Sequence, residues 1–67
     1  MPRWKVGGFV IVLYRHDHPP AHVHVWKDNE FVGRYDLEHH CWIEGPYHAA
    51  AQARKAIAEW AEQTGLA

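Results

Sequence analysis

The stretch that most restricts this chain is Pro19-Pro20-Ala21-His22-Val23-His24-Val25-Trp26-Lys27. Two adjacent prolines hold φ at about −65° and remove two backbone donors, so His16–Ala21 is a loop. The residues that follow alternate strictly, which predicts a strand with one buried face over His22–Lys27. Asp28-Asn29-Glu30 then reads as a turn, and Phe31–Glu38 as the returning strand. Upstream, Lys5–Arg15 predicts the first strand. Its centre, Phe9-Val10-Ile11-Val12-Leu13, is apolar at consecutive positions, as expected for a strand covered on both faces. Gly7 and Gly8 mark a bend or bulge at its start. Cys41–Glu44 is long enough for a short fourth strand.

The last third of the chain changes character and becomes rich in alanine. Gly45-Pro46 is expected to open a helix, because proline is favoured at the first helical position. The helix should run to about Thr64 and stop at Gly65, a good left-handed cap. Ala50, Ala53, Ile57, Trp60, Ala61 and Thr64 share one stripe at helical spacing. The stripe is mostly small residues around one large anchor, Trp60, and should lie close against the sheet. Together these elements predict a single α+β domain over residues 1–67. Its architecture is a small antiparallel sheet of three to four strands packed by one C-terminal helix, in the order β-β-β-(β)-α.

A chain of 67 residues makes one domain with a modest core. Four tryptophans are many for that core, so some should stay exposed, which points to a homodimer or a protein partner. The lone Cys41 cannot form an internal disulfide. Residues 1–5 lack the apolar stretch of a signal peptide, and Phe9–Leu13 is too short to span a bilayer. A cytoplasmic location without membrane association is the default expectation. The net charge is −1 and the basic residues are scattered, a weak footprint for nucleic acid. Protonating all seven histidines would raise that charge by seven units, so mild acid could swing the surface.

His22 and His24 are two apart on a strand and must share a face. A two-residue loop at Asp28-Asn29 would set His22 opposite Tyr35 and His24 opposite Gly33, on an aromatic face with Trp26, Phe31 and Leu37. A three-residue loop, Asp28–Glu30, would set His22 opposite Asp36 and His24 opposite Arg34. Turn chemistry slightly favours the first, since Asp and Asn tolerate positive φ. Segregation of faces favours the second, because a one-residue slip moves every side chain across the sheet. The second register is the one expected here. It places His22, His24, Arg34 and Asp36 on a polar face, with His16, Asp17 and His18 arriving from the loop.

That cluster admits several chemistries. His22 and His24 could converge on zinc or another divalent transition metal, with His18 or His16 as a third ligand and Asp36 as ligand or orienter. Alternatively, the two imidazoles could act as acid and base on a ribose hydroxyl and a leaving oxygen. Arg34 would then bind the phosphate and Asp36 would hold one ring in a useful tautomer. Equally open is a purely structural role, in which the histidines bond across strands and pin the Pro-Pro loop. His39, His40 and His48 show that this chain uses histidine freely. Cys41, beside Trp42, reads as a small apolar residue before it reads as a nucleophile.

Asp17-His18-Pro19-Pro20-Ala21-His22-Val23-His24-Val25 resembles the D-H-x-P-P-H-[FV]-H-V signature of the domain-of-unknown-function 4160 family, small bacterial proteins. Gly33-Arg34-Tyr35-Asp36-Leu37 looks like the family's next strand. Glu44-Gly45-Pro46 and Glu59-Trp60-Ala61-Glu62 look like its E-G-x-x-P and E-W-A-E helix elements. Ala21 is a departure, since histidine usually follows Pro-Pro directly. The resemblance implies importance for Asp17, His18, Pro19, Pro20, His22 and His24. It also implies a toxin-like component of a two-protein module, neutralised by an antitoxin-like protein partner. A non-enzymatic metal-binding or protein-interaction module is the alternative. RNA is a further conceivable partner, weakly supported by charge.

Overall fold

A computed structural model describes residues 2–14 and 21–65. Arg15, His16, Asp17, His18, Pro19 and Pro20 lie outside the described residues, so the loop histidines and the Pro-Pro loop are not placed. The described chain forms β1 (Arg3–Val6), β2 (Phe9–Tyr14), β3 (His22–Lys27), β4 (Glu30–Asp36), β5 (Cys41–Glu44) and α1 (Ala50–Thr64). All neighbouring strands are antiparallel, and their spatial order follows chain order. The α+β class and the C-terminal helix are as expected, but the sheet has five strands rather than three to four.

The extra strand comes from Gly7-Gly8. Both residues have positive φ, at 57° and 83°, and Val6 pairs with Phe9 across them. That geometry is a two-residue hairpin turn, where the sequence suggested a bend within one strand. The helix also starts later than expected. Gly45, at φ 76°, and Pro46 precede it outside any helix or strand, and Ala49, in a left-handed conformation at φ 48°, sets the start at Ala50. Gly65 ends it as expected, and its N–H reaches the Ala61 carbonyl at 2.8 Å.

One face of the sheet carries Phe9, Ile11, Leu13, Val23 and Val25 against the helix, all buried. The helix meets them with Ala53, Ala56, Ile57 and Trp60, while Ala50 is exposed. Small side chains let the helix sit close, and Trp60 fills the remaining depth. Its ring stands edge-on to Trp4, centroids 5.4 Å apart. No element among the described residues covers the opposite face of the sheet. That face is built in rows set by the strand pairings.

The turn between β3 and β4 resolves the competition between turn chemistry and burial. Asp28 and Asn29 both have positive φ, at 52° and 65°, and Lys27 pairs with Glu30. The turn therefore has two residues, and the three-residue turn expected from face segregation is not formed. Yet His22 pairs with Asp36 and His24 with Arg34, the register that segregation demanded. A β-bulge reconciles the two. Trp26 pairs with Phe31 and Val25 with Gly33, so Val32 is the extra residue. The carbonyl of Val32 is not left orphaned, because it accepts the Tyr47 N–H at 2.8 Å.

Candidate functional site

The open face is read from its cross-strand rows. Tyr14, His22, Asp36 and Cys41 make one row; Arg3, Val12, His24, Arg34 and Glu44 make the next; Lys5, Val10, Trp26 and Phe31 make the third. The bulge thus puts the histidines beside both Arg34 and Asp36 and the aromatics Trp26 and Phe31. Leu37 is not among them; it is buried in the core.

The rings form a continuous strip. Tyr14 lies nearly parallel to His22, centroids 5.6 Å apart, and 4.2 Å from His24. The two imidazoles are 5.3 Å apart. His24 is followed by Phe31 at 5.9 Å, and Phe31 contacts Trp26 at 5.1 Å and Tyr47 at 6.1 Å. Neither Tyr14 nor Tyr47 is evident as a site residue from the sequence. Tyr14 sits at the end of what reads as a buried strand, and Tyr47 falls where a helix was expected.

Arg34 is not a free phosphate clamp. Its Nε donates to Glu44 Oε1 at 3.0 Å, and the Tyr47 hydroxyl donates to Glu44 Oε2 at 2.8 Å. Bonding to the Glu44 carboxylate raises the Tyr47 hydroxyl's pKa above its ordinary value. Glu44 is therefore the organiser of this side of the face. The strand expected at Cys41–Glu44 is formed as β5 and ends on Glu44, but the sequence does not give the register that sets Glu44 opposite Arg34.

Asp36 is committed to its own turn. Oδ1 accepts the N–H groups of Glu38 and His39 at 2.8 and 3.1 Å, and Oδ2 lies 2.7 Å from His39 Nδ1. Burial pushes the Asp36 carboxyl up, but the bonds from the His39 ring and the two N–H groups carry it below its ordinary value. The same contact raises the His39 imidazole. Glu38 returns to the start of β3, where its carboxylate accepts the Ala21 N–H at 2.8 Å. The Ala21 carbonyl accepts the Leu37 N–H at 2.9 Å, so Ala21 is held at both backbone groups.

His24 moves the opposite way to His39. Partial burial lowers its pKa first, then the proximity of His22 and Arg34, against a smaller raising effect of Glu44. Near neutral pH it is therefore the uncharged imidazole, a base or a ligand in form. The signs of the two linkages differ. As pH falls through 6.5 the unfolded chain takes up the His24 proton first, so the fold loses stability. The His39 contribution is full below 6.5 and is lost as pH rises through its raised folded value.

His22 and His24 stand side by side, whereas His18, the third expected ligand, lies outside the described residues. Among the described residues no three His, Cys, Asp or Glu side chains are gathered to hold a metal ion. A concavity of about 610 Å³ lined by Tyr35, His40, Arg54, Ile57, Ala61 and other helix residues opens on the helix side, remote from the histidine face. Among the described residues no helix is long and apolar enough to cross a membrane.

Fold and face define a two-layer α+β domain whose sheet is backed by one helix and open on an aromatic, imidazole-bearing side. The family model described as domain of unknown function (DUF4160) matches residues 8–65, and the chain belongs to that family. No curated protein and no solved structure matches it.

Proposed function

We propose that the open sheet face centred on His22 and His24 is the working surface of a toxin-like component of a two-protein module. A protein partner of antitoxin type covers that face. The observation that carries this reading is the continuous strip of half-buried rings from Tyr14 through His22, His24 and Phe31 to the exposed Trp26, on a sheet face that no described element covers. The toxin-like character itself rests on the family signature. In an acid–base mechanism His24, neutral near pH 7, is the natural base. His22 would be the acid, and Arg34, through the guanidinium nitrogens not bonded to Glu44, the anion contact. Asp36 would act at a remove, by fixing the end of β4.

Induced expression of the chain is expected to arrest growth, and a His22→Ala/His24→Ala variant present at equal folded level should not. Equal arrest by both removes the histidines from the mechanism. No arrest by the parent chain removes the toxin-like role.

The non-enzymatic metal-binding module is kept by one observation: two imidazoles 5.3 Å apart, one held in its neutral, ligating form. Stoichiometric zinc would then shift the NMR signals of His22, His24 and one loop histidine such as His18 together. Unmoved His22 and His24 signals exclude zinc from this face.

A further inference from the structure

Beside the histidine row, the same face holds a concave groove of about 300 Å³ lined by Arg3, Val10, Val12, Trp26 and Asn29. The register explains its composition. Arg3 pairs with Val12, Lys5 with Val10, and Val10 with Trp26, which places a cation edge on β1, a valine floor on β2 and an indole wall on β3. Asn29 closes one end from the two-residue turn. Trp26 is 38% exposed, unusual for so large an apolar ring.

The charges on this face are unevenly satisfied. Among the described residues, the carboxylates in its strand rows are engaged, Glu44 with Arg34 and Asp36 with its own turn, and Asp28 is exposed in the turn beside Asn29. Arg3 and Lys5 are exposed and belong to no ion pair among the described residues. Two cations on β1 against the single carboxylate of Asp28 leave the charge beside the groove net positive at its β1 edge, which calls for an anionic occupant. An exposed ring and a β-branched floor call for a planar apolar one. A nucleotide unit combines both.

We propose that this groove binds a single nucleotide unit, free or as part of a short single-stranded RNA. The base lies against Trp26 over Val10 and Val12. The phosphate meets the forked donors of Arg3, with Lys5 one row along. The Asn29 amide, offering a donor and an acceptor together, meets the edge of the base. One nucleotide needs only one or two cations, so the scattered charge that disfavours long nucleic acid does not disfavour this ligand. The groove shares the face with His22 and His24 but none of their side chains, so it stands independently of the toxin-like reading.

The test is NMR titration of the full chain with adenosine monophosphate, a tri-adenylate RNA, adenosine and inorganic phosphate. Adenosine monophosphate and the RNA should both shift the Trp26 indole N–H and the Asn29 side-chain amide. The larger response identifies the source as free nucleotide or single strand. Adenosine should bind more weakly than its monophosphate, and inorganic phosphate alone should leave Trp26 unmoved. Trp26→Thr and Arg3→Gln should each weaken binding on the order of tenfold, while His22→Ala/His24→Ala should leave it unchanged. If Trp26→Thr loses its folded spectrum, Arg3→Gln, at an exposed edge position, decides. A Trp26 signal that ignores millimolar nucleotide overturns the proposal, as does an equal response to phosphate alone. So does a Trp26 signal that follows protein concentration, which would assign the groove to protein association.

Discussion

Trp60→Ala is expected to lower stability by about 3–5 kcal/mol, the usual range for truncating a large aromatic side chain in a core. Trp60 is fully buried, and the other buried residues of its helix are Ala53, Ala56 and Ile57. The helix therefore holds the sheet largely through one side chain. A chain of this length has a total stability of about 3–10 kcal/mol, so the variant should lose about a third of it or more, and is unfolded at room temperature where the parent lies at the low end of that range. Urea unfolding followed by far-ultraviolet circular dichroism gives the midpoint. Trp60→Phe, which keeps an aromatic ring in the site, should lose much less. Matching midpoints for Trp60→Ala and the parent chain would show that the helix is not held this way.

Gly33→Ala is the second large effect. A Cβ on residue 33 would run into the Glu44 carbonyl oxygen and the Trp42 ring. Trp42 cannot simply withdraw, because it also stands edge-on to Tyr35 at 5.3 Å. Overpacking of this kind costs about 1–3 kcal/mol, and here one of the clashing atoms is backbone. The relief available is to move β5 outward, which takes Glu44 away from Arg34 and Tyr47. Two readouts should change together: the urea midpoint falls, and the Arg34 Nε–H signal loses its hydrogen-bonded shift. A lowered midpoint with an intact Arg34 signal would mean that β5 stays in place and the strain goes elsewhere.

The sheet-and-helix plan was legible in the sequence because alternation and composition carry it. His22–Lys27 alternates, the alanine-rich stretch keeps helical spacing, and Gly65 stops it. Gly7-Gly8 was harder to read. The run Phe9–Leu13 looks like a strand apolar on both faces, although Val10 and Val12 are only partly covered on the open side. That continuity hid the hairpin before it. Gly45-Pro46 carried a genuine helix-start signal, but the Tyr47 N–H is drawn to the Val32 carbonyl and delays the helix. Residue pattern alone cannot show that hydrogen bond, since it depends on a bulge in another strand.

The candidate face was legible in outline for a similar reason. Turn chemistry and burial each gave a correct local answer, and each was applied to the whole hairpin. Asp28-Asn29 does form the two-residue turn, and His22 does pair with Asp36. The extra residue, Val32, is an ordinary apolar side chain in a run of strand-formers, with nothing to mark it as a bulge. Glu44 and Tyr47 were missed because their roles depend on β5 and on the chain after it, where local signals were weakest.

His24 on the open face and His39 in the turn after β4 sit in built and opposite environments, not as freely solvated imidazoles. A pH titration of the imidazole NMR signals tests it most directly, in the parent chain and in Asp36→Asn. His24 should titrate below 6.5, because partial burial, His22 and Arg34 disfavour its charged form. His39 should titrate above 6.5 in the parent chain and fall toward that value in Asp36→Asn, while His24 keeps its depressed value. His24 and His39 titrating together near 6.5 in both proteins would contradict the account.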